Sequence, residues 1–211
     1  MSDFDARSVA ENPEPGAQAA GRKRPKPGER RIQILQALAA MLEQPDGERI
    51  TTAALAARLQ VSEAALYRHF ASKAQMFEGL IEFVESTIFT LANKVQSTET
   101  DGVAQAEQIV ALLLGFAQKN PGMTRVLVGD ALVSEDERLQ ARMNQLYEKL
   151  EATLRQSLRT AQMANAWHGD PSSDAAALFA FVMGRWLLYA KSGFRRLPQD
   201  GWEGQRKFLF D

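Results

Sequence analysis

Apolar positions recur every three or four residues along most of the chain, and no stretch alternates apolar with polar at the period of a strand. The pattern predicts an all-α protein. In ERRIQILQALAAMLEQ, Ile32, Leu35, Ala39 and Leu42 fall on one helical face, and PDGER (45–49) ends that helix. ITTAALAARL follows, with Thr51 or Thr52 as its cap and Leu55 and Leu59 turned inward. After the tight connection QVS, Ser62 caps a third, short helix that ends at Phe70, with Leu66 and Phe70 inward. Ser72 caps a longer one, whose expected buried side is Met76, Phe77, Leu80, Phe83, Val84, Ile88 and Leu91. VAQAEQIVALLLGFAQKN is a further helix stopped by Pro121-Gly122, and GMTRVLVGDALVS a short one. In SEDERLQARMNQLYEKLEATLRQSLRTAQMA, Leu139, Met143, Leu146, Leu150 and Leu154 make one narrow stripe. A stretch of about four heptads suits a bundle helix better than a coiled coil. WHGDPSS is a loop. DAAALFAFVMGRWLLYAKSGF is apolar nearly all round, so it needs cover on several sides, and a second subunit is a natural cover. The tail from Arg195 carries no clear pattern.

Composition adds an asymmetry. The chain has 211 residues, 45% hydrophobic and 24% charged, enough for a proper core. Its net charge of −1 conceals RKRPKPGERR (22–31), with six basic residues against one acid. A basic arm on a near-neutral chain points to a polyanion met at one end. Residues 1–27, rich in Pro, Gly, Ala and charge, are expected to be a disordered arm. The absence of cysteine excludes disulfides, thiolate metal sites and a cysteine nucleophile, and suits a reducing cytosol. The two histidines, His69 and His168, offer no metal-binding spacing, and neither a glycine-rich phosphate loop nor a nucleophile elbow is present. No apolar leader opens the chain, and the longest apolar stretches fall short of a membrane span. The expected class is a cytoplasmic binding protein, not an enzyme, with no cofactor, no metal and no membrane contact.

The chemistry concentrates in VSEAALYRHFASK (61–73). Helix, short turn, helix, with a basic arm before and a capped helix after, is the arrangement that places one helix in the major groove. Ser62, Glu63, Ala64 and Ala65 occupy the leading end of that helix. Ala64 or Ala65 would meet a thymine methyl, and Ser62 a phosphate or a base. Tyr67, Arg68 and His69 are placed for the sugar–phosphate backbone. Lys73 opens the next helix, where the macrodipole also draws phosphate. Thr51 and the arm residues Arg30 and Arg31 complete the expected DNA-binding set. Competing readings stand beside these: the Tyr67 ring packed on the first helix, His69 as a helix-end packing residue, the arm as a solvated linker.

TTAALAARLQVSEAALYRHFASKAQMFEGL (51–80) resembles the helix-turn-helix of the TetR family of DNA-binding regulators. The family pattern is a threonine-capped helix, then L-A-x-x-x-G-V-S, then L-Y-x-H-F, then x-x-K-x-x-L. Gln60 stands where the pattern has its turn glycine, and a left-handed Gln60 would cost about 1–2 kcal/mol. The resemblance implies an N-terminal three-helix DNA-binding domain (28–88, helix-turn-helix 51–70), a C-terminal helical bundle (89–211) for dimerisation and partner binding, and a homodimer on two-fold DNA sites.

Within that family, residues 112–159 together with SEAALYRHFASKAQMFEGLIEFVE are similar to the nucleoid occlusion factors, over roughly residues 29–196. This resemblance implies a nucleoid-associated homodimer on dispersed palindromic double-stranded DNA sites, with one or two dimers per site. On DNA it would bind the tubulin-like division protein FtsZ and antagonise its polymers. The matching FtsZ-binding positions are Phe83 in LIEFVE and Leu112, Gly115, Lys119 and Asn120 in LLLGFAQKNPG. Gly115 would let a peptide backbone approach closely, and Lys119 would draw an acidic tail. Phe83 and Leu112 also fit a core role, and Leu91 stands where the enterobacterial pattern has an arginine, a lost charge that implies a weaker or shifted contact with an acidic tail. The alternative is a ligand-responsive repressor with Trp167, Trp186 and Tyr189 lining a pocket. Core packing and a dimer interface are the favoured explanation of those aromatics.

Overall fold

Among the described residues, six helices begin where a short polar side chain accepts a hydrogen bond from the first turn, so local chemistry sets most starts. The caps are Thr51, Ser62, Ser72, Asp101, Asp136 and Asp170. The computed structural model describes residues 28–44, 50–133 and 135–210. The expected disordered arm and the helix-ending segment 45–49 lie outside the described residues. Those described form α1 (Glu29–Leu42), α2 (Thr52–Leu59), α3 (Glu63–Tyr67), α4 (Lys73–Thr98), α5 (Gly102–Lys119) and α6 (Pro121–Leu127). A 3₁₀ turn at Asp130–Leu132, α7 (Glu137–Met163), α8 (Pro171–Lys191) and α9 (Trp202–Phe210) complete them. No strand occurs among them, and no helix is long and apolar enough to cross a membrane.

The first three helices close around the start of α4. Ile34, Leu38, Leu55, Leu66, Phe70 and Phe77 are all buried there. α4 then runs on into a bundle with α5, α7 and α8. The expected domain boundary at 88/89 therefore falls inside one continuous helix. The apolar stripe of α7 is fully inward: Leu139, Met143, Leu146, Leu150 and Leu154 are all buried against the bundle.

The rotational phase of two helices differs from expectation. On α1 the buried residues are Ile34, Leu38, Ala39 and Leu42, whereas Ile32 is 57% exposed and Leu35 only partly covered. Helix α1 is pressed by α2 and α4 and also by α6, which turns its buried arc away from Ile32. On α4, Phe83 and Leu91 are 50% and 42% exposed rather than buried. The bundle takes Ile81, Val84, Ile88 and Ala92 instead, a stripe at spacings of three and four. Expectation also merged two pieces in GMTRVLVGDALVS. Pro121 starts α6 rather than merely stopping α5, and Gly129, at φ +81, separates α6 from the 3₁₀ turn.

Contacts that join the reader unit to the bundle are specific. Arg125 of α6 donates to the carbonyl of Gln44 at 3.1 Å, just past the end of α1. Glu85 of α4 pairs with Arg142 and, at 2.6 Å, with Lys149, both on α7. Burial pushes the Glu85 carboxyl up, but the bonds and charges of Lys149 and Arg142 outweigh this and hold it below its ordinary value. Its stabilisation is therefore present above the ordinary value of 4.5 and fades as pH falls below it. The tail is ordered too. Arg185 of α8 donates to the carbonyls of Pro198, Leu197 and Asp200 at 2.9, 2.9 and 2.6 Å, and Arg206 pairs with Glu107 of α5 at 3.0 Å.

Gln60 adopts the left-handed conformation at φ 54, ψ 47, where it ends α2 and starts the turn. Replacing it by glycine removes that strain and adds unfolded-state entropy. The expected net gain is roughly 0.5–1 kcal/mol, read as a higher urea midpoint at unchanged m-value. An unchanged or lower midpoint would show that the glutamine side chain compensates for its backbone.

Candidate nucleic-acid interface and partner face

The helix pair α2–α3 is held by the side chains expected to face DNA. Thr51 accepts from the Ala54 N–H at 3.1 Å, and Ser62 from the Ala65 N–H at 3.3 Å. Thr52 donates to Glu63 at 2.5 Å, and the Tyr67 hydroxyl reaches Thr52 at 3.5 Å. The turn is thus bridged on its outer side by a Thr52–Glu63–Tyr67 set. Thr52 belongs to the site on these contacts, although its sequence suggests only a possible cap. Tyr67 is 45% exposed, so its ring both leans on the turn and offers an edge to solvent. Ala64 and Arg68 are exposed, and Ala65 and His69 half-buried. A five-residue α3 with two alanines at its leading end presents little bulk, which suits entry into a groove.

The basic residues have different surroundings. Arg31 stacks its guanidinium 4.1 Å above the Phe70 ring and donates to the His69 carbonyl, so it ties α1 to the end of α3. Arg30 donates to Gln33 at 3.0 Å. With Arg58, Leu59, Gln60 and Val61, it lines an open groove of about 580 Å³ beside the turn. Arg58 was not legible as part of this surface, because only the fold brings α1 and the end of α2 together. Lys73 does not stand free: it pairs with Glu135 at 2.5 Å.

In the bundle, Leu112, Gly115 and Lys119 share one side of α5 at spacings of three and four. Leu112 and Gly115 are half-buried and Lys119 exposed. Asn120 ends the helix and donates from its side-chain amide to the Phe116 carbonyl at 2.7 Å. Phe83 stands on the exposed side of α4. Gly115 faces the tail: a Cβ placed there would lie 3.2 Å from the Gln199 amide nitrogen. Gln199 thus borders the candidate partner face, a neighbour the patternless tail gave no sign of. The aromatics of the alternative reading have partners. Trp186 is fully buried and donates to the Leu113 carbonyl at 3.0 Å. Tyr189 donates to Gln118 at 3.2 Å, and Trp167 to Asp174 at 2.8 Å. Burial pushes the Tyr189 hydroxyl pKa up, and it raises that of Tyr147, which donates to the Leu127 carbonyl, to about 12.

A capped α2–turn–α3 pair under a helical bundle defines a DNA-binding regulator of the TetR family, and the comparisons agree. Residues 34–80 match the family described as bacterial regulatory proteins, tetR family. Among solved structures, a TetR-family regulator from Thermus thermophilus superposes with TM-score 0.70 at 18% identity, covering 84% of this chain and 97% of that one. A TetR regulator from Haloarcula marismortui gives TM-score 0.73 at 16% identity, covering 87% and 97%. At those identities the likeness concerns the fold. Residues 100–211 match a SlmA-like family described as tetracyclin repressor-like, C-terminal domain. The nucleoid occlusion factor SlmA of Alteromonas mediterranea is 50% identical over 83% of this chain and 91% of its own. Those of Marinomonas sp. and Escherichia fergusonii are 48% and 49% identical, over 85% and 83% of this chain and 92% and 90% of their own. The chain belongs to the SlmA family of nucleoid occlusion factors.

Proposed function

We propose that this nucleoid occlusion factor works as a homodimer on palindromic chromosomal DNA in the cytoplasm. There it binds FtsZ and antagonises its polymers, so that no septum forms over the nucleoid. The DNA-facing set is Thr51, Ser62, Glu63, Ala64, Ala65, Tyr67, Arg68, His69 and Lys73, with Arg30 and Arg31 behind them. The FtsZ-facing set is Phe83, Leu112, Gly115, Lys119 and Asn120. The observation that carries the second set is Phe83. It is a large aromatic half exposed on a helix whose inward stripe is already complete without it. A side chain of that size in water is a candidate anchor for a partner. Leu91, also exposed on α4, adds apolar surface beside the exposed Ser86 and Thr90, so this side of α4 offers a partner two apolar anchors among polar groups.

Dimerisation is supported by the outer side of α8. Leu187 and Leu188 are 43% and 40% exposed there, alongside exposed Ala176, Ala177 and Ala180, and nothing lies within 4 Å of a Cβ built on Gly184. Small residues and leucines on one side let a second copy approach closely. A two-fold dimer carries two reader helices, which fixes half-sites about one DNA turn, roughly 34–36 Å, apart.

The test is FtsZ assembly with GTP, read by sedimentation, in the presence of this protein alone, with a palindromic duplex, or with a scrambled duplex. Polymer is expected to fall only with the specific duplex. Phe83→Ala is expected to abolish that loss while leaving the duplex affinity within about twofold, since an exposed side chain far from the reader contributes little to folding. Unaltered polymer in all three conditions, with DNA binding intact, would overturn the FtsZ reading. Parallel loss of DNA binding in Phe83→Ala would make the residue structural.

A further inference from the structure

Lys73 occupies the first position of α4, the end of a helix whose dipole repels a cation. An anion beside it offsets that repulsion, and in this protein the anion is internal. Its Nζ lies 2.5 Å from the Glu135 carboxylate, with the two side chains only 21% and 10% exposed. Glu135 belongs to the segment between the 3₁₀ turn and α7, outside the reader unit. A second link runs beside it. Arg138, in the first turn of α7, pairs with Glu78 of α4 at 2.9 Å and reaches the hydroxyl of Ser72, the α4 cap, at 3.5 Å. The segment 135–138 is therefore fastened to the end of α4 that faces the DNA backbone.

We propose that Glu135 is a built-in competitor of DNA. Its carboxylate occupies the Lys73 ammonium in the free protein, and a backbone phosphate takes its place on binding. The inference rests on the assignment of Lys73 to phosphate made above. A carboxylate and a phosphate are both pure acceptors for the same three ammonium donors, and two anions that close on one ammonium repel each other. The pair is partly shielded from water, so salt screens it less than it screens a free surface pair. Linkage then runs both ways: if Glu135 weakens DNA binding, DNA weakens the hold of Lys73 on Glu135. The released segment leads back through α6 to Asn120 on the candidate partner face. An occupied reader would thus loosen the stretch of chain next to that face.

Duplex affinity is measured by fluorescence anisotropy, with a palindrome selected by this protein from a random library. The proteins are the parent chain, Glu135→Gln, Lys73→Gln, the double variant, and Glu137→Gln as a control that removes an exposed acid nearby. Glu135→Gln is expected to tighten binding by about threefold or more per dimer, from the range of partly exposed ion pairs. Lys73→Gln is expected to weaken it, and Glu135→Gln to add nothing in the Lys73→Gln background. A gain that persists in that background, or equals that of Glu137→Gln, would reduce the effect to general charge and overturn the competition. No change from Lys73→Gln would instead overturn its assignment to phosphate. Hydrogen exchange on the parent chain needs no variant. The amides of Glu135 and Leu139, bonded to the Leu132 and Asp136 carbonyls at 3.0 and 2.9 Å, are expected to exchange faster in the DNA complex. Equal or slower exchange would rule out the release.

Discussion

Trp186→Ala is expected to lower the unfolding free energy by about 3–5 kcal/mol, the largest loss from any single truncation in the bundle. Trp186 is the largest of the fully buried side chains. It stands edge-on to Phe179 at 6.4 Å between ring centroids, and its indole N–H bonds to the Leu113 carbonyl at 3.0 Å, so it bolts α8 to α5. Removing it leaves a cavity that rigid helices on three sides cannot close. Trp186→Phe keeps most of the ring contacts and loses the hydrogen bond, and is expected to cost only about 1–2 kcal/mol. Urea unfolding at several protein concentrations measures both and also tests dimerisation, since the midpoint of a folded dimer rises with concentration. A loss below about 1 kcal/mol for Trp186→Ala would mean that the bundle core is loose there. The space would then be a plausible ligand pocket, as a ligand-responsive repressor requires. The hydrogen-bonded indole argues for packing.

What the sequence made legible is what depends on neighbours along the chain. Thr51, Ser62 and Ser72 act as caps because a hydroxyl before a helix can reach only the amides two or three residues on. The α7 stripe is legible because its other positions are so polar that only one face can be buried. A left-handed Gln60 follows from the turn geometry that the family's glycine implies. The phases of α1 and α4 were not legible for the opposite reason. Both helices carry more apolar residues than one face needs, so periodicity alone admits Ile32 or Ile34, and Phe83 or Ile81, as the inward residue. Only packing decides, and for Phe83 it moved the residue from core to surface, where a partner can use it. Pairs distant in sequence left no trace at all. Lys73 and Glu135, Gly115 and Gln199, and Arg31 and Phe70 meet because of how helices stack, and no local pattern encodes that.

Gly122→Ala tests whether α6 positions the reader. A Cβ at residue 122 would lie 2.0 Å from the Ala39 carbonyl oxygen, so the backbones of α6 and α1 touch with no room for a methyl group. Backbone cannot swing aside as a flexible side chain can, so α6 must move off α1 as a unit. The expected cost is about 3 kcal/mol, at the upper end for overpacking, and the better helix propensity of alanine returns at most about 1 kcal/mol. Arg125, one turn along α6, would also lose its bond to the Gln44 carbonyl beyond the end of α1. Because α2 packs on α1 and α3 on α2, and Arg31 of α1 ties down the end of α3, duplex affinity is expected to fall even for the fraction that remains folded. Gly102→Ala is the control. Its Cβ would lie 2.3 Å from the Ala161 nitrogen, an equally severe clash, but where α5 begins beside the end of α7, away from the reader. Both variants should unfold at lower urea. Only Gly122→Ala should bind DNA more weakly per folded molecule, by tenfold if about 1.4 kcal/mol of the strain reaches the reader. Equal weakening in both would show that DNA binding simply tracks global stability. Weakening confined to Gly122→Ala would place the control of the reader at the α1–α6 contact, in the same connecting stretch that Glu135 closes at its other end.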